Sequence, residues 1–274
     1  MSFAAKSGDW RRLPPEAREL LLGALRLKSA AISGRRLSPL ELAEQAGITP
    51  DPWQRDLLTS QAQQTILLCS RQSGKSTISA LLGLHQALYT PDSLVLLLSP
   101  SQRQSQELFR KVKDFYASLP AKTELAQESA LRLEFHNGSR IVVLPGKEST
   151  VRGFSGVSLL IVDEAARVED QLYFSIRPML AVSQGRIILL STPFGSRGFF
   201  WKEYTEGEGW QRVRVTATQC PRISPDWLAK ERERIGSWWF DQEYLCQFSD
   251  SLDQIFSSED ILRAITSEVR PLWT

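Results

Sequence analysis

Residues that could bind a phosphate group are concentrated between Thr65 and Thr77, in the segment TILLCSRQSGKST. An apolar run ends there in a polar turn that closes on Gly74, Lys75 and Ser76. A buried strand followed by such a turn and a helix presents backbone N–H groups and the positive helix end to a phosphate. The pattern predicts that Lys75 reaches the terminal phosphates of a nucleotide and that the Ser76 hydroxyl holds Mg²⁺.

The loop departs from the usual phosphate-binding pattern at one position, because Cys69 stands where that pattern has a glycine, five residues before Gly74. Taken alone, the segment has a second interpretation, in which a strand, a Ser/Gly turn and a helix follow one another without a ligand. If the loop binds a nucleotide, the expected contact residues are Ser70, Arg71, Gln72, Ser73, Gly74, Lys75, Ser76 and Thr77.

A pair of adjacent acids follows another apolar run, in the segment SLLIVDEAA. Adjacent carboxylates at the end of a buried strand are costly unless they meet a cation or a polar ligand, and ligands of open α/β sheets bind at those strand ends. We expect Asp163 to hold Mg²⁺ together with Ser76. We expect Glu164 to orient and deprotonate the water that attacks the γ-phosphate. Solvated acids at a strand end are the alternative interpretation.

Two further polar groups are predicted near the same end of the sheet. Ser191-Thr192-Pro193 closes the apolar run RIILL, and the Thr192 hydroxyl can sense the γ-phosphate from there. Asp51-Pro52-Trp53-Gln54 precedes the first strand and has two interpretations. The Gln54 amide can donate to and accept from the edge of adenine. Alternatively, Asp51 is a helix N-cap and Gln54 is the returning arm of a capping box, which the residues alone favour.

Two arginines lie where they could neutralise charge in a transition state. Arg71 is inside the loop, and Arg152 lies eleven residues before Asp163. A correctly placed arginine finger accelerates phosphoryl transfer by about 10³- to 10⁵-fold. The alternative for each is a hydrated arginine on the surface.

The elements that must position these groups are predicted from the spacing of apolar residues. Runs that are apolar on both faces predict the central strands of a parallel sheet, and they are Thr65–Cys69, Leu94–Ser99, Leu159–Val162 and Arg186–Ser191. Amphipathic spacing predicts helices over residues 76–89 and 102–119. Two alternating runs joined at Asn137-Gly138 predict a hairpin. The core is therefore expected to be a parallel α/β sheet with an antiparallel addition.

Less regular patterns flank this core. Helices are predicted over residues 15–32 and 38–46, and this pair either covers the core or forms a DNA-reading helix-turn-helix. After Pro193, a strand is predicted over residues 213–217 and a helix over residues 225–235. The aromatic cluster at residues 238–240 is interpreted as core packing, with stacking on bases as the alternative.

The composition is that of a globular protein without a dominant charge. The chain has 274 residues, 42% hydrophobic and 23% charged, and a formal net charge of +2, so only a local patch could attract nucleic acid. One predicted helix carries basic residues that either face DNA or are solvated, namely Arg103, Arg110, Lys111 and Lys113. Three cysteines without metal-ligand spacing, no signal-peptide pattern and no bilayer-length apolar run predict a soluble, intracellular protein with reduced thiols.

The ordered set of these motifs resembles the ATPase domain of phage large terminases, the motors that move double-stranded DNA into procapsids. The matching segments are WQ at 53–54, SRQSGKS at 70–76, VRG at 151–153, LLIVDEAA at 159–166, STPFGSRGFFW at 191–201 and FDQEYLCQF at 240–248. Together they cover about residues 50 to 256 in the order of the family.

The resemblance implies an α/β fold, a P-loop NTPase of the additional-strand, catalytic-glutamate type. Its mainly parallel sheet is expected to be flanked by helices and to carry an antiparallel hairpin and a small N-terminal helical appendage. The resemblance also implies ATP and Mg²⁺ as ligands and a ring, expected to hold five subunits, around double-stranded DNA in the host cytoplasm. A portal protein and a small terminase subunit are the implied partners, and no membrane is involved. Arg152 then becomes the preferred finger acting on a neighbouring subunit, and Gln54 a nucleotide contact.

Three domain segments are expected on this basis. Residues 1–49 form the helical appendage, residues 50–256 the ATPase domain with a C-terminal subdomain from about 200, and residues 257–274 a tail where the family continues into a metal-dependent nuclease. No DNA cleavage is expected from this chain. A helicase-type remodeller, suggested by Ser99-Pro100-Ser101-Gln102, and a nucleotide-gated scaffold without catalysis remain the alternatives.

Overall fold

The computed structural model of the chain describes residue 14, residues 36–120, 122–145 and 153–249, and residue 264. Three sequence predictions lie outside these residues: the helix over residues 15–32, Arg152 and, apart from residue 264, the tail at 257–274.

Within the described ranges, eight strands form a single sheet in the order β3-β4-β5-β2-β6-β7-β1-β8. The strands are β1 (Gln64–Cys69), β2 (Leu94–Ser99), β3 (Leu125–Glu128), β4 (Arg132–Phe135), β5 (Arg140–Pro145), β6 (Val157–Asp163), β7 (Arg186–Ser191) and β8 (Gln211–Val215). Neighbours from β5 to β8 in this order run parallel, whereas β3, β4 and β5 pair antiparallel. The predicted parallel sheet with an antiparallel hairpin is confirmed.

Helices cover both faces of the sheet and connect its parallel strands. They are α1 (Pro39–Gln45), α2 (Pro52–Thr59), α3 (Lys75–Tyr89), α4 (Gln102–Ser118), α5 (Asp170–Ile176), α6 (Gly198–Thr205), α7 (Pro225–Ile235) and α8 (Ser237–Glu243). Short 3-10 turns lie at Ala165–Arg167, Arg177–Leu180 and Ala217–Gln219. None of the helices in the described ranges combines the length and apolar character that crossing a bilayer requires.

Two hydrophobic clusters pack against opposite faces of the sheet. Strand β1 contributes residues to both clusters, which explains why its sequence is apolar throughout. Leu67 and Cys69 join the cluster that includes Ile78 of α3, whereas Ile66 and Leu68 join the opposite cluster, which includes residues of α5 and α6. A strand that buries both faces reads as a continuous apolar run, as the sequence predicted. The three cysteines of the chain are all buried with free thiols.

Two predictions beside the core require correction, and one strand was missed. The strand expected over residues 213–217 ends at Val215, because the Thr216 side chain starts a 3-10 turn through a capping box with Gln219. Of the aromatic cluster, Phe240 is buried, but Trp239 is 47% exposed and is not core. The edge strand β3 was not predicted, because its short sequence LAQE is mostly exposed and carries no alternating pattern.

His85 of α3 is predicted to make stability fall in acid. Its buried Nε2–H donates to the Leu37 carbonyl at 2.8 Å. Burial lowers the pKa of His85 below its ordinary value, and the Leu37 bond opposes this shift while Arg36 adds to it. As pH falls below about 6.5, the unfolded chain therefore takes up a proton that the folded chain resists, and the free energy of unfolding decreases.

Thermal melting at about pH 8 and about pH 5.5 should reveal this effect of His85. The loss of Tm on acidification should be smaller in His85→Gln than in the wild type. His136→Gln, which alters the exposed second histidine, should keep the wild-type loss. An equal loss in His85→Gln and the wild type would refute the assignment.

Candidate nucleotide-binding site

The loop between β1 and α3 is held in shape by its own polar groups and by β8. The Ser70 N–H donates to the Val215 carbonyl at 2.8 Å, and the Ser73 hydroxyl donates to the Ser70 carbonyl at 2.9 Å. Gly74 precedes α3 with φ +90°, and a Cβ built there would lie only 2.8 Å from Gln54 Nε2. Glycine is therefore favoured at this position by its backbone conformation, and a larger residue would also displace the Gln54 amide.

The acid pair at the end of β6 meets the first turn of α3. The Ser76 hydroxyl donates to Asp163 Oδ2 at 2.6 Å, and Lys75 Nζ lies 3.0 Å from Glu164 Oε1. Glu164 has φ +53°, and its N–H donates to Asp163 Oδ1 at 3.0 Å. The turn of the backbone after β6 thus directs both carboxylates to the same loop, eighty-seven and eighty-nine residues away from their partners in sequence.

Burial and charge set the protonation of this cluster. Burial raises the pKa of the Asp163 carboxyl above its ordinary value, although Lys75 and the Ser76 hydrogen bond oppose this shift. Burial acts to lower the pKa of the Lys75 ammonium, but the Glu164 and Asp163 carboxylates outweigh it and raise the pKa overall. A charged lysine therefore lies beside the buried Asp163 and the partly buried Glu164, where a further cation would stabilise the ionised form of Asp163.

The donor set at this end of the sheet fits Mg²⁺ and a phosphate. A hydroxyl oxygen and a carboxylate oxygen are ligands that Mg²⁺ accepts, and Mg²⁺ usually completes its shell with water and substrate phosphates. Ser76 and Asp163 supply these two oxygens, and the fifteen-residue helix α3 presents its N-terminus beside them. In the described ranges, no group of three or more His, Cys, Asp or Glu side chains could hold a metal by itself.

One strand separates the phosphate loop from the acid pair. β7 pairs with β1 on one side and with β6 on the other, and it ends at Ser191. Thr192 follows directly and is buried. Its role in sensing the γ-phosphate stays a prediction. The Ser191 hydroxyl is buried without a hydrogen-bond partner among the described residues.

Gln54 is engaged in the manner of a helix cap. Its Oε1 accepts from the Asp51 N–H at 2.9 Å, and its Nε2 donates to the Ser73 carbonyl at 3.3 Å. Arg222 donates to both Asp51 carboxylate oxygens at 2.8 Å and to the same Ser73 carbonyl at 3.0 Å. The capping interpretation is confirmed. The Gln54 amide also stabilises the phosphate loop through its hydrogen bond to the Ser73 carbonyl.

Arg71 of the loop turns towards α8 rather than towards the acid pair. Its Nε donates to Glu243 Oε2 at 2.6 Å, and its backbone N–H donates to the Glu243 carbonyl at 3.1 Å. Arg167 approaches the other Glu243 oxygen at 3.6 Å. Sequence reasoning did not assign Glu243 or Arg222 to the site, because each meets the loop from more than 140 residues away. Glu243 lies in the segment FDQEYLCQF, but that segment does not indicate a contact with the loop.

The basic residues of α4 that were considered for DNA are engaged mostly within the chain. Arg110 pairs with Glu107, Lys113 pairs with Glu128, and Lys111 Nζ donates to the Thr77 hydroxyl at 3.2 Å. Ser101, from the segment that suggested a helicase, accepts from the Gln104 N–H at 3.3 Å as the N-cap of α4. That serine therefore has a local structural role. A DNA-facing role for the basic residues stays a prediction.

Comparison with known proteins decides the family. Residues 66–263, well over half of the chain, match the family described as terminase large subunit, T4likevirus-type, N-terminal. The chain belongs to this terminase family. The terminase large subunit of Thermus virus P23-45 is 25% identical over 273 residues, which cover 86% of this chain and 56% of that protein. This terminase chain spans about half the length of the curated relatives it matches.

Solved terminase structures share the fold. The large terminase ATPase domain of Thermus phage P74-26 matches with a TM-score of 0.67 at 22% identity, over 78% of this chain and 100% of that domain. The large terminase of a thermophilic bacteriophage, solved in complex with ADP, matches with a TM-score of 0.63 at 13% identity, over 73% of this chain and 54% of that one. The P-loop NTPase fold that the motifs implied is thereby confirmed for this terminase chain.

Proposed function

We propose that the chain is the ATP-hydrolysing domain of a phage DNA-packaging motor. The observation that carries this proposal is the meeting of the loop and the acid pair, with Ser76 at 2.6 Å from Asp163 and Lys75 at 3.0 Å from Glu164. Membership of the terminase family and the fold shared with terminase ATPase domains support it.

The substrate is ATP, whose phosphates bind in the loop from Ser70 to Thr77. The N–H groups of the loop and of the start of α3 donate to the phosphate oxygens, and Lys75 turns from Glu164 to the terminal phosphates. This exchange frees the Glu164 carboxylate from its ion pair. Thr192, at the end of β7, senses the γ-phosphate.

The reaction is attack of water on the γ-phosphorus. Glu164 orients the water and accepts its proton while the water oxygen bonds to phosphorus. The bond from phosphorus to the bridging oxygen breaks, and the electron pair leaves with ADP. Ser76 and Asp163 would hold Mg²⁺, which neutralises charge on the phosphate oxygens when bound.

The motor function extends this chemistry to an assembly. Subunits form a ring, of five in our proposal, around double-stranded DNA and couple hydrolysis to its movement into a procapsid. A portal protein and a small terminase subunit complete the machine. In this arrangement residues 50–256 are the ATPase domain. DNA backbone contacts made by such a motor should weaken steeply with salt and be independent of sequence.

Phosphate release measured with enzyme in excess over ATP tests the proposed chemistry. We expect release in the presence of Mg²⁺ and its loss on chelation with EDTA, with recovery when Mg²⁺ is restored. A helicase would in addition unwind a forked duplex on its own. Absence of both ATP binding and phosphate release from the folded chain would contradict the proposal.

Arg152→Ala is predicted to spare nucleotide binding and to depress hydrolysis in the assembled ring. A finger supplied by a neighbour stabilises transition-state charge, and its removal costs about 10³- to 10⁵-fold in rate. Arg234→Ala, at an arginine of α7 whose side chain is 82% exposed, is the matched control. If the Arg152 variant assembles and hydrolyses ATP at the wild-type rate, Arg152 is not the finger.

A further inference from the structure

Lys111 differs from the neighbouring basic residues of α4 in the direction of its charge. Arg110 and Lys113 pair with acids. The Lys111 ammonium instead donates to the Thr77 hydroxyl on α3 at 3.2 Å. In the ranges that the structure describes, no ion pair joins Lys111 to an acid. A cation of α4 is therefore directed at the end of the phosphate loop without a counter-ion.

The position of Lys111 is fixed by the packing of α4 against α3. Leu108 and Val112 of α4 are buried in the same hydrophobic cluster as Ile78 of α3. Lys111 and Thr77 are only partly buried, and each keeps part of its surface open to solvent. A ligand in the loop can therefore contact this pair without a change in the packing of the two helices.

Electrostatics favours an anion beside this pair. Thr77 is the third residue of α3, so the Lys111 ammonium lies at the positive end of that helix. Cations are favourable at the opposite end of a helix, and anions are favourable at this one. Lys75 in the same turn is balanced by Glu164 at 3.0 Å. An anion in the loop would offset the charge of Lys111 and that of the helix end together.

The Thr77 hydroxyl has a defined direction in this contact. An ammonium only donates hydrogen bonds, so the hydroxyl accepts from Lys111 and keeps its own proton for another acceptor. The Ser79 hydroxyl, one half-turn along α3, donates to the Lys75 carbonyl at 2.9 Å. Thr77 makes no such bond to any described residue. Its O–H, polarised by the ammonium, is available to donate to a phosphate oxygen.

We propose that Lys111 is a positioning residue of the nucleotide site, which directs the Thr77 hydroxyl to an oxygen of the α-phosphate. The inference rests on the proposed ATP-binding function, and it assigns Lys111 to the nucleotide rather than to DNA. In that function Lys75 and the Mg²⁺ at Ser76 serve the terminal phosphates. Thr77, the next residue, is left for the phosphate nearest the nucleoside.

Calorimetric binding of ATP and of ADP, each with Mg²⁺, tests this role, because both nucleotides carry the α-phosphate. Lys111→Met keeps the length of the side chain but cannot donate, and it should weaken ATP and ADP alike by about tenfold. Lys111→Arg keeps a charged donor and should bind both within about threefold of the wild type. Lys230→Met, at an exposed lysine of α7, is the matched control and should bind both nucleotides normally.

A merely structural contact between α3 and α4 is distinguished by the rate of hydrolysis and by a double-mutant cycle. At saturating enzyme, Lys111→Met should hydrolyse bound ATP within about twofold of the wild-type rate, because Lys111 does not touch the γ-phosphate. Thr77→Val keeps the shape of the side chain and removes the hydroxyl. Adding Lys111→Met to Thr77→Val should therefore weaken nucleotide binding by less than about twofold more.

Unchanged affinity for both nucleotides in Lys111→Met would overturn the assignment, as would weaker binding of ATP alone. Full multiplication of the effects of Lys111→Met and Thr77→Val would also overturn it, as would slowed hydrolysis of bound ATP in Lys111→Met. In each of these cases the wild type still binds ATP, so the proposed function stands. A wild type that binds neither nucleotide would contradict both proposals.

Discussion

Glu164→Gln is expected to stop ATP hydrolysis while ATP remains bound. Glutamine has nearly the shape of glutamate, but its amide does not accept a proton from water at neutral pH. The phosphate contacts of the loop and Lys75 are untouched by this change. Because a positioned general base contributes about 10²- to 10⁴-fold, single-turnover phosphate release should slow by at least that lower factor. Calorimetry should show an ATP affinity close to that of the wild type.

Glu169→Gln is the matched control for this variant. The same chemical change is made five residues further along, at an exposed acid that precedes α5. It should hydrolyse ATP at the wild-type rate. Normal turnover in Glu164→Gln would remove Glu164 from the role of base, and it would leave a different residue to activate the water.

Lys75→Ala is expected to abolish tight ATP binding. The Lys75 ammonium is buried, and its Nζ lies 3.0 Å from the Glu164 carboxylate. Its removal takes a cation from the phosphates and leaves the Glu164 carboxylate to repel them. Truncating one partner of a buried charge pair costs about 2 to 5 kcal/mol, so ATP affinity should fall about thirtyfold or more.

Binding of a fluorescent ATP analogue measures this loss. Lys202→Ala, at an exposed lysine on α6, is the control for removing a positive charge and should bind normally. Circular dichroism must show that the Lys75 variant is folded, because the loss of Lys75 also leaves the partly buried Glu164 carboxylate without its ion pair. A folded Lys75→Ala protein with near-normal affinity and turnover would refute the assigned phosphate loop.

The central strands and the loop were predictable because their signals are local. β1 and β6 are apolar on both faces, and each ends directly in polar residues. Parallel strands carry their C-terminal ends to one edge of the sheet, so Lys75 and Glu164 could be expected to meet from their positions alone. The Asn137-Gly138 turn likewise specified the hairpin of β4 and β5.

The contacts that residues after β8 make with the phosphate loop and with Asp51 were not predictable, because they depend on how the segment after β8 packs. Glu243 meets Arg71 across 172 residues, and Arg222 meets Asp51 across 171. Neither pair has a sequence pattern that fixes its partner. The same limit applies to the aromatic residues after β8, since burial of Phe240 and exposure of Trp227 follow from the packing of α7 and α8.

The structure of the chain with a non-hydrolysable ATP analogue and Mg²⁺ tests the central claim most directly. We predict phosphates in the loop from Ser70 to Thr77, with Lys75 moved from Glu164 to the terminal phosphates and Mg²⁺ beside Ser76 and Asp163. A nucleotide bound elsewhere, with the Lys75–Glu164 ion pair intact at 3.0 Å, would contradict the account.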